Sequence, residues 1–230
     1  MIDKQPTAKE KKYLNLIGMV FVTCLITSNL AAIKIGEFFG VSLPCGILLF
    51  PLLYVLNDIL TEVYGFSASR KVVWTALACN LFLSLYLYLA TQIQPSSHSH
   101  NHQAFESVFM LSPKIFIASM VSYLIGELIN AVIISKLKIK LKGRIFALRA
   151  IFSTSIGSLI ESLIFCIIAF VKILMLAQVI KMALMLTIIK VFYEVLAMPV
   201  SIKSVSLLKK AEEIDVYESP TLKGLLPKLR

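Results

Sequence analysis

Residues 72–90 read VVWTALACNLFLSLYLYLA and contain no charged side chain over 19 positions. About 20 apolar residues in an α-helix span the hydrocarbon core of a bilayer. A membrane β-strand would instead show about 10 residues of alternating polarity. This stretch therefore predicts a transmembrane α-helix.

The composition extends this conclusion to the whole chain. Of its 230 residues, 58% are hydrophobic and 16% are charged. A soluble domain carries roughly 45–50% apolar and about 25% charged residues, so this chain has too few charges to cover itself in water. Disordered, collagen-like and coiled-coil chains are excluded on the same grounds. The predicted fold class is all-α, an integral membrane bundle.

The apolar runs predict six transmembrane helices, at about residues 13–35, 44–64, 71–91, 113–135, 147–171 and 177–201. The first run follows a basic segment, as in a signal peptide, but it is too long for one, so we expect it to be retained. Residues 13–210 then form the transmembrane domain, between an N-terminal segment 1–12 and a tail 211–230.

The basic residues predict the orientation. With both termini in the cytoplasm, the inner segments hold 18 of the 23 Lys and Arg residues and the outer segments hold four. This asymmetry follows the positive-inside rule, and it favours an even number of spans. The net charge of +10 therefore indicates membrane topology rather than binding to nucleic acid.

Two other patterns leave alternatives open. His98, His100 and His102 alternate in an outer loop, where they form either a Zn or Cu site or simply a polar loop, which we favour. The sequence I-G-x-L-I occurs at 125–129 and again at 156–160. Such a similarity arises from an internal repeat or from chance, and antiparallel neighbours would bring the two stretches face to face.

Ionisable side chains inside the predicted spans are candidates for function, because a charge in the bilayer interior is costly. Five acids face one base, namely Asp58, Glu62, Glu127, Glu161 and Glu194 against Lys190. If all were ionised, the buried net charge would be −4. We therefore expect protonated carboxyls, water or a ligand with donors, and each option requires a polar cavity.

Helical spacing predicts that these side chains share the cavity. Tyr54, Asp58 and Glu62 recur every four residues, so they form one stripe. Lys190 and Glu194 are also four residues apart, close enough to pair along their own helix. Purely structural roles stay open, with Glu62 among the headgroups and Lys190–Glu194 as a structural ion pair.

Catalytic motifs are missing from the sequence. No histidine lies in a span to serve as the base of a serine hydrolase, and there is no HExxH, P-loop or GxGxxG motif. Asp58 is the only intramembrane aspartate, so an aspartyl protease lacks its second carboxyl. We expect no enzyme, no cofactor and no metal centre.

Polar motifs of separate spans occur in order along the chain. They are Asn29 with Lys34, FPxxYxxxDxxxExYG at 50–65 followed by Ala68-x-Arg70, STxxGxxxESxxF at 153–165, and Lys190 with Pro199. Together they resemble the motifs of the queuosine precursor transporter family, and the resemblance covers about residues 13–210.

This resemblance implies uptake of 7-deazaguanine bases that feed queuosine in tRNA, across the inner membrane of a bacterium. Those bases are queuine, 7-cyano-7-deazaguanine and 7-aminomethyl-7-deazaguanine. The implied partners are this small molecule and the lipid bilayer, and a homodimer is one option left open. The candidate substrate-binding residues are Asn29, Phe50, Tyr54, Asp58, Glu62, Glu127, Asn130, Glu161, Phe165, Lys190 and Glu194.

The chemistry of such a base fits these residues, because a carboxylate accepts both donors of a guanine-like edge. The hypothesis assigns edge recognition to Glu127 and Glu161, a polar exit or proton relay to Asp58 and Glu62, and a switchable pair to Lys190 and Glu194. Two departures leave the preferred precursor open. The chain has Glu127 with Asn130 where the family usually has Gln with Asp, and Glu161 where it usually has Asp.

Three other function classes remain as alternatives. The first is the substrate-binding subunit of an energy-coupling-factor vitamin transporter, which needs an ATPase partner. The others are an intramembrane enzyme and a non-transporting assembly factor. The sequence does not decide how transport would be energised.

Overall fold

The computed structural model describes residues 12–38, 41–96, 101–109, 112–171, 175–218 and 220. These residues form an all-α bundle, which confirms the predicted fold class. Its helices are α1 (Leu14–Ala31), α2 (Phe50–Tyr64), α3 (Phe66–Thr91), α4 (His102–Phe109), α5 (Ser112–Lys140), α6 (Phe146–Phe170) and α7 (Leu176–Glu212). A short antiparallel hairpin of β1 (Ile35–Phe38) and β2 (Val41–Pro44) joins α1 to a 3-10 turn before α2.

Within the described residues, four helices are long and apolar enough to cross a membrane. They are α1, α3, the part Ile117–Lys140 of α5, and α6. The chain is thus a multi-pass membrane protein, and the six-span count stays a prediction. At 15 residues, α2 rises only about 22 Å, and α7 carries charged side chains near its middle.

The central element of the bundle is α2. Of its 15 residues, 13 are buried, polar and apolar alike, because α1, α3, α5 and α7 surround it. The span predicted for 44–64 is therefore shorter as a helix, and its first residues form the end of β2 and the 3-10 turn. Pro51 falls in the first turn of α2, where its missing N–H costs nothing.

A single residue joins α2 to α3. Gly65 has a φ of +87°, a backbone conformation that favours glycine, and α3 begins directly after it at Phe66. The sequence predicted this helix only from residue 71. The earlier start places Ser69 and Arg70 in the first turns of α3, where both are buried.

The two ends of the bundle differ. At one end, Glu212 accepts hydrogen bonds from the backbone N–H groups of Lys12 and Tyr13 and from the hydroxyl of Tyr64. The start of α1 and the ends of α2 and α7 therefore meet there, and we call it the termini end. The opposite end, which holds β1 and β2, is called the hairpin end.

A glycine contact joins α5 to α6. A Cβ atom added at Gly126 would lie 2.6 Å from the Cβ of Glu161 and 2.9 Å from the carbonyl oxygen of Gly157. The two I-G-x-L-I stretches thus face each other, as the sequence predicted. Close contact of small residues is how membrane helices approach one another.

Gly126→Ala should therefore destabilise the bundle by about 1–3 kcal/mol, because the added methyl group overpacks this contact. Thermal unfolding of the purified protein in detergent measures the effect. Gly18→Ala is the matched control, since its added Cβ would meet only Val72 at 3.5 Å, an ordinary contact. Equal unfolding temperatures for the two variants would contradict the close α5–α6 contact.

Candidate functional site

A pocket lies toward the hairpin end of the bundle, between α1, α2, α5, α6 and α7. Its empty volume is about 550 Å³ with the open mouth included. Five of the predicted substrate-binding residues line it, namely Asn29, Phe50, Glu161, Phe165 and Lys190. The sequence reasoning therefore identified several polar and aromatic groups that do converge.

The polar centre of this pocket is an ion pair between α6 and α7. The Nζ of Lys190 lies 2.7 Å from Oε2 of Glu161, and the hydroxyl of Tyr54 donates to the same oxygen at 2.5 Å. The ammonium also lies 4.9 Å from the ring centroid of Phe50, a favourable cation–π distance. Lys190 thus pairs across helices with Glu161, so the structural ion pair along α7 with Glu194 is not formed in this structure.

A second polar layer lies deeper in the bundle, around Asn57. Its amide group donates to Glu127, and its carbonyl oxygen accepts from the hydroxyl of Ser69 and, at 3.1 Å, from the guanidinium of Arg70. Glu127 does not line the pocket at the hairpin end. Asn57 thereby bridges a buried carboxylate and a buried arginine.

The third group consists of two carboxylates without a basic partner. Asp58 accepts a hydrogen bond from the amide of Asn130 at 2.8 Å through Oδ1. Among the described residues, Oδ2 of Asp58 and both carboxylate oxygens of Glu194 have no hydrogen-bond partner. Both side chains are buried, and an ionised carboxylate in such surroundings is costly without a partner.

At the termini end, Glu62 is the centre of an ionic network that we call the Glu62 cluster. Arg149 and Lys209 each lie 2.8 Å from its carboxylate oxygens, and Lys138 lies 3.7 Å away. Lys138 and Lys209 both continue to Asp215, at 2.8 and 2.9 Å. Glu62 therefore lies away from the pocket and is neutralised by three bases.

Asp215 belongs to the segment after α7, outside the spanning helices. Partial burial by itself raises the pKa of this carboxyl, but the hydrogen bonds from Lys138 and Lys209 outweigh it and hold the pKa below its ordinary value. The same segment continues to Glu218, which accepts from the backbone N–H of Ser67 at 2.9 Å. Residues 213–218 thus cover the termini end of the bundle.

Three buried bases were missed as site residues from the sequence. Arg70, Lys138 and Arg149 are buried, whereas the sequence reasoning counted them only as charges that set the topology. With Lys190 they give four bases against the five acids, so the expected net charge of −4 was too negative. The sequence did contain a signal for Arg70, because this residue ends the motif Ala68-x-Arg70 that follows Gly65.

The histidines of the possible metal site lie only partly within the described residues, which include His102. His98 and His100 lie outside the described residues, so a metal site in that loop stays untested. Among the residues that the structure describes, no group of three or more His, Cys, Asp or Glu side chains is arranged to hold a metal ion.

Apolar helices around buried ion pairs and a pocket form the architecture of a membrane transport protein. Residues 44–203 match the family described as "Putative vitamin uptake transporter", and the chain belongs to that family. Two relatives, both named "Probable queuosine precursor transporter", agree with the family that the motifs predicted. Membership also agrees with the expectation that the chain is not an enzyme.

The relatives are distant in sequence. The protein of Bacillus subtilis (strain 168) is 26% identical over 64% of this chain and 65% of its own length. The protein of Haemophilus influenzae (strain ATCC 51907 / DSM 11121 / KW20 / Rd) is 24% identical over 63% of this chain and 59% of its own length. The chain thus covers less than two thirds of either relative. No solved structure matches it.

Arg149→Gln tests the Glu62 cluster. Breaking a buried ion pair costs about 3–5 kcal/mol when the partner is left unpaired; here Lys209 still neutralises Glu62, so a loss of about 2–3 kcal/mol is expected. The measurement is again thermal unfolding in detergent. Arg144→Gln, in the loop just before α6 and with an exposed side chain, should stay within about 0.5 kcal/mol of the parent. Two variants with the same stability would refute a cluster that holds the termini end together.

Proposed function

We propose that this protein imports 7-deazaguanine precursors of queuosine, namely queuine or the 7-cyano and 7-aminomethyl bases, through the pocket at the hairpin end. The relatives' printed names support the substrate class. The single observation that carries the proposal is the Tyr54–Glu161–Lys190 centre, where one carboxylate and one ammonium lie between aromatic rings.

A 7-deazaguanine base presents complementary groups to this centre. Its N1–H and exocyclic amine are adjacent donors, and the Glu161 carboxylate accepts both in a bidentate arrangement. The ring carbonyl needs a donor, and Lys190 lies 2.7 Å from the same carboxylate, so one ligand edge can engage both. Substrates that lack these donors would not form these charge-assisted hydrogen bonds with Glu161 and would bind more weakly.

The walls of the pocket fit a flat ring. Phe50 and Phe165 contribute aromatic side chains to its lining. A flat ring can stack on such side chains, whereas a ligand without a flat face cannot. Asn29 accepts a hydrogen bond from the hydroxyl of Ser119 at 2.7 Å. That bond fixes the Asn29 carbonyl and orients its amide N–H groups, which can then donate to a polar atom of the ligand.

The proposal includes the membrane setting. Six spans of domain 13–210 would cross the inner membrane of a bacterium, with segment 1–12 and tail 211–230 in the cytoplasm. The pocket would then face the outside, and the Glu62 cluster would close the cytoplasmic end. Transport requires this cluster to open, which gives Glu62 a role in the exit path rather than in ligand recognition.

The decisive test measures queuosine in tRNA of a host that cannot make its precursors and expresses this chain, with each precursor supplied separately. Glu161→Gln and Lys190→Ala should each lower queuosine content at least tenfold at equal protein abundance in the membrane. The matched controls are Glu37→Gln and Lys181→Ala, because both side chains are exposed. Undiminished queuosine in both site variants would exclude these roles.

A double variant separates recognition from folding. Glu161→Gln with Lys190→Met removes both charges together, so no unpaired ion is left in the bundle. We expect this protein to be as abundant in the membrane as the parent while queuosine content stays low. Restored transport in the double variant would mean that the pair serves the fold alone.

The energy-coupling-factor alternative makes a different prediction. A substrate-binding subunit would bind the base but would move it only with an ATPase partner. Purified chain in liposomes that exchanges labelled queuine by itself therefore supports the proposal. Co-purification with a coupling ATPase, and no exchange without it, would favour the alternative.

A further inference from the structure

The buried charges of the described bundle can be assigned to one another almost completely. Arg149, Lys138 and Lys209 neutralise Glu62, and Lys190 neutralises Glu161. Arg70 reaches Glu127 through Asn57. Glu212 is also buried, but at the termini end, where the N–H groups of Lys12 and Tyr13 and the hydroxyl of Tyr64 donate to it. After this assignment no buried base of the described residues pairs with the two acids that remain in the centre of the bundle.

The remaining acids are Asp58 on α2 and Glu194 on α7. Their exposed fractions are 0% and 1%, and three of their four carboxylate oxygens have no partner among the described residues. A further polar group stands beside them without a partner. The hydroxyl of Thr61, one turn from Asp58 on the same face of α2, is 4% exposed and makes no hydrogen bond with any described residue.

The two carboxyls lie at about the same depth on adjacent helices. Tyr54 and Lys190 meet at the same oxygen of Glu161, and Asp58 and Glu194 each follow one helical turn later, on α2 and on α7. No charge comes from α1, because Leu14–Ala31 contains none. Besides the Glu62 cluster, the other charged or titratable side chains that are buried among the described residues are Tyr54, Tyr64, Arg70, Tyr123, Glu127, Glu161, Cys166, Lys190 and Glu212.

Two carboxylates that share a buried space without a base cannot both be ionised, because each unpaired charge would lose its hydration and repel the other. One bound proton removes the repulsion and supplies a donor for one of the unpartnered oxygens. We propose that Asp58 and Glu194 form a proton-binding pair that couples import to the proton gradient. This inference rests on the proposed function.

The pair is linked to the pocket through both of its helices. Asp58 lies one turn after Tyr54 on α2, and Glu194 lies one turn after Lys190 on α7. With the proton bound, Lys190 stays at Glu161, where the structure has it, and the pocket is formed. When the proton leaves, the ionised Glu194 attracts Lys190 along α7 at the i, i+4 distance, and the pocket loses its donor.

This linkage gives the order of events. A proton from the outer side binds the pair, the base binds at Glu161 and Lys190, and the Glu62 cluster opens. The proton then leaves to the inner side, Lys190 turns toward Glu194, and the base follows. One proton enters with each base, so a gradient of one pH unit supports about tenfold accumulation.

The experiment uses the full chain in proteoliposomes with labelled queuine. Two quantities are compared, namely exchange of queuine at equal pH and net uptake driven by an acidic outside. The parent protein should show both, with about tenfold accumulation per pH unit that a protonophore abolishes. In lightly buffered vesicles, a pH dye should report one proton entering for each queuine.

Asp58→Asn and Glu194→Gln each imitate the protonated carboxyl and remove the proton site. In both variants net uptake should no longer exceed equilibration, while exchange stays measurable. Glu37→Gln, an exposed carboxylate on β1, should keep the response of the parent to the gradient.

The outcomes separate the two proposals. A parent protein that exchanges neither queuine nor the 7-cyano or 7-aminomethyl base contradicts the proposed function. Exchange without any effect of the pH gradient and without proton entry overturns the proton-binding pair and leaves the proposed function standing. Accumulation driven by a sodium gradient at equal pH also overturns it, and so does full gradient-driven accumulation in both variants.

Discussion

A low-dielectric interior cannot hold a charge that has no partner, and this constraint organises the bundle. Helices α2, α3, α5, α6 and α7 each contribute ionisable side chains to the buried centre. Their positions are fixed less by the apolar contacts, which lipid could replace, than by the need of each carboxylate for a donor. The result is a column of polar groups that runs beside α2 from the pocket to the termini end.

This column has three levels with different chemistry. The level at the pocket holds an ion pair between aromatic rings, which a polar flat ligand can take over. The level at the termini end is saturated by three bases and by the chain segment after α7. The middle level is the one where acids outnumber bases, and the proposed proton-binding pair lies there.

The sequence predicted those parts of the structure that depend on one helix at a time. The apolar run at 72–90 belongs to α3, and the I-G-x-L-I stretches face each other because both glycines lie on the contact face of their helices. Asn29, Glu161 and Lys190 meet in one pocket, and each of them is a polar residue within an otherwise apolar run of the sequence. Patterns within a helix thus identified the elements and many of the site residues.

Partners across helices could not be predicted in the same way. Spacing along α7 favoured Lys190 with Glu194, but Glu161 reaches the ammonium from α6 and two aromatic rings hold it there. Arg149 lies in the first turn of α6, where a basic residue is equally consistent with topology and with a role in the core. Only the packing shows that it turns inward to Glu62.

The connection at Gly65 has a mechanical consequence. Only one residue lies between α2 and α3, so the two helices cannot move independently at this joint. A tilt of α2 therefore also moves the start of α3. Val216 and Glu218 lie against this joint, so the segment after α7 packs on the connection between α2 and α3. Any motion that opens the termini end of the column has to displace these residues first.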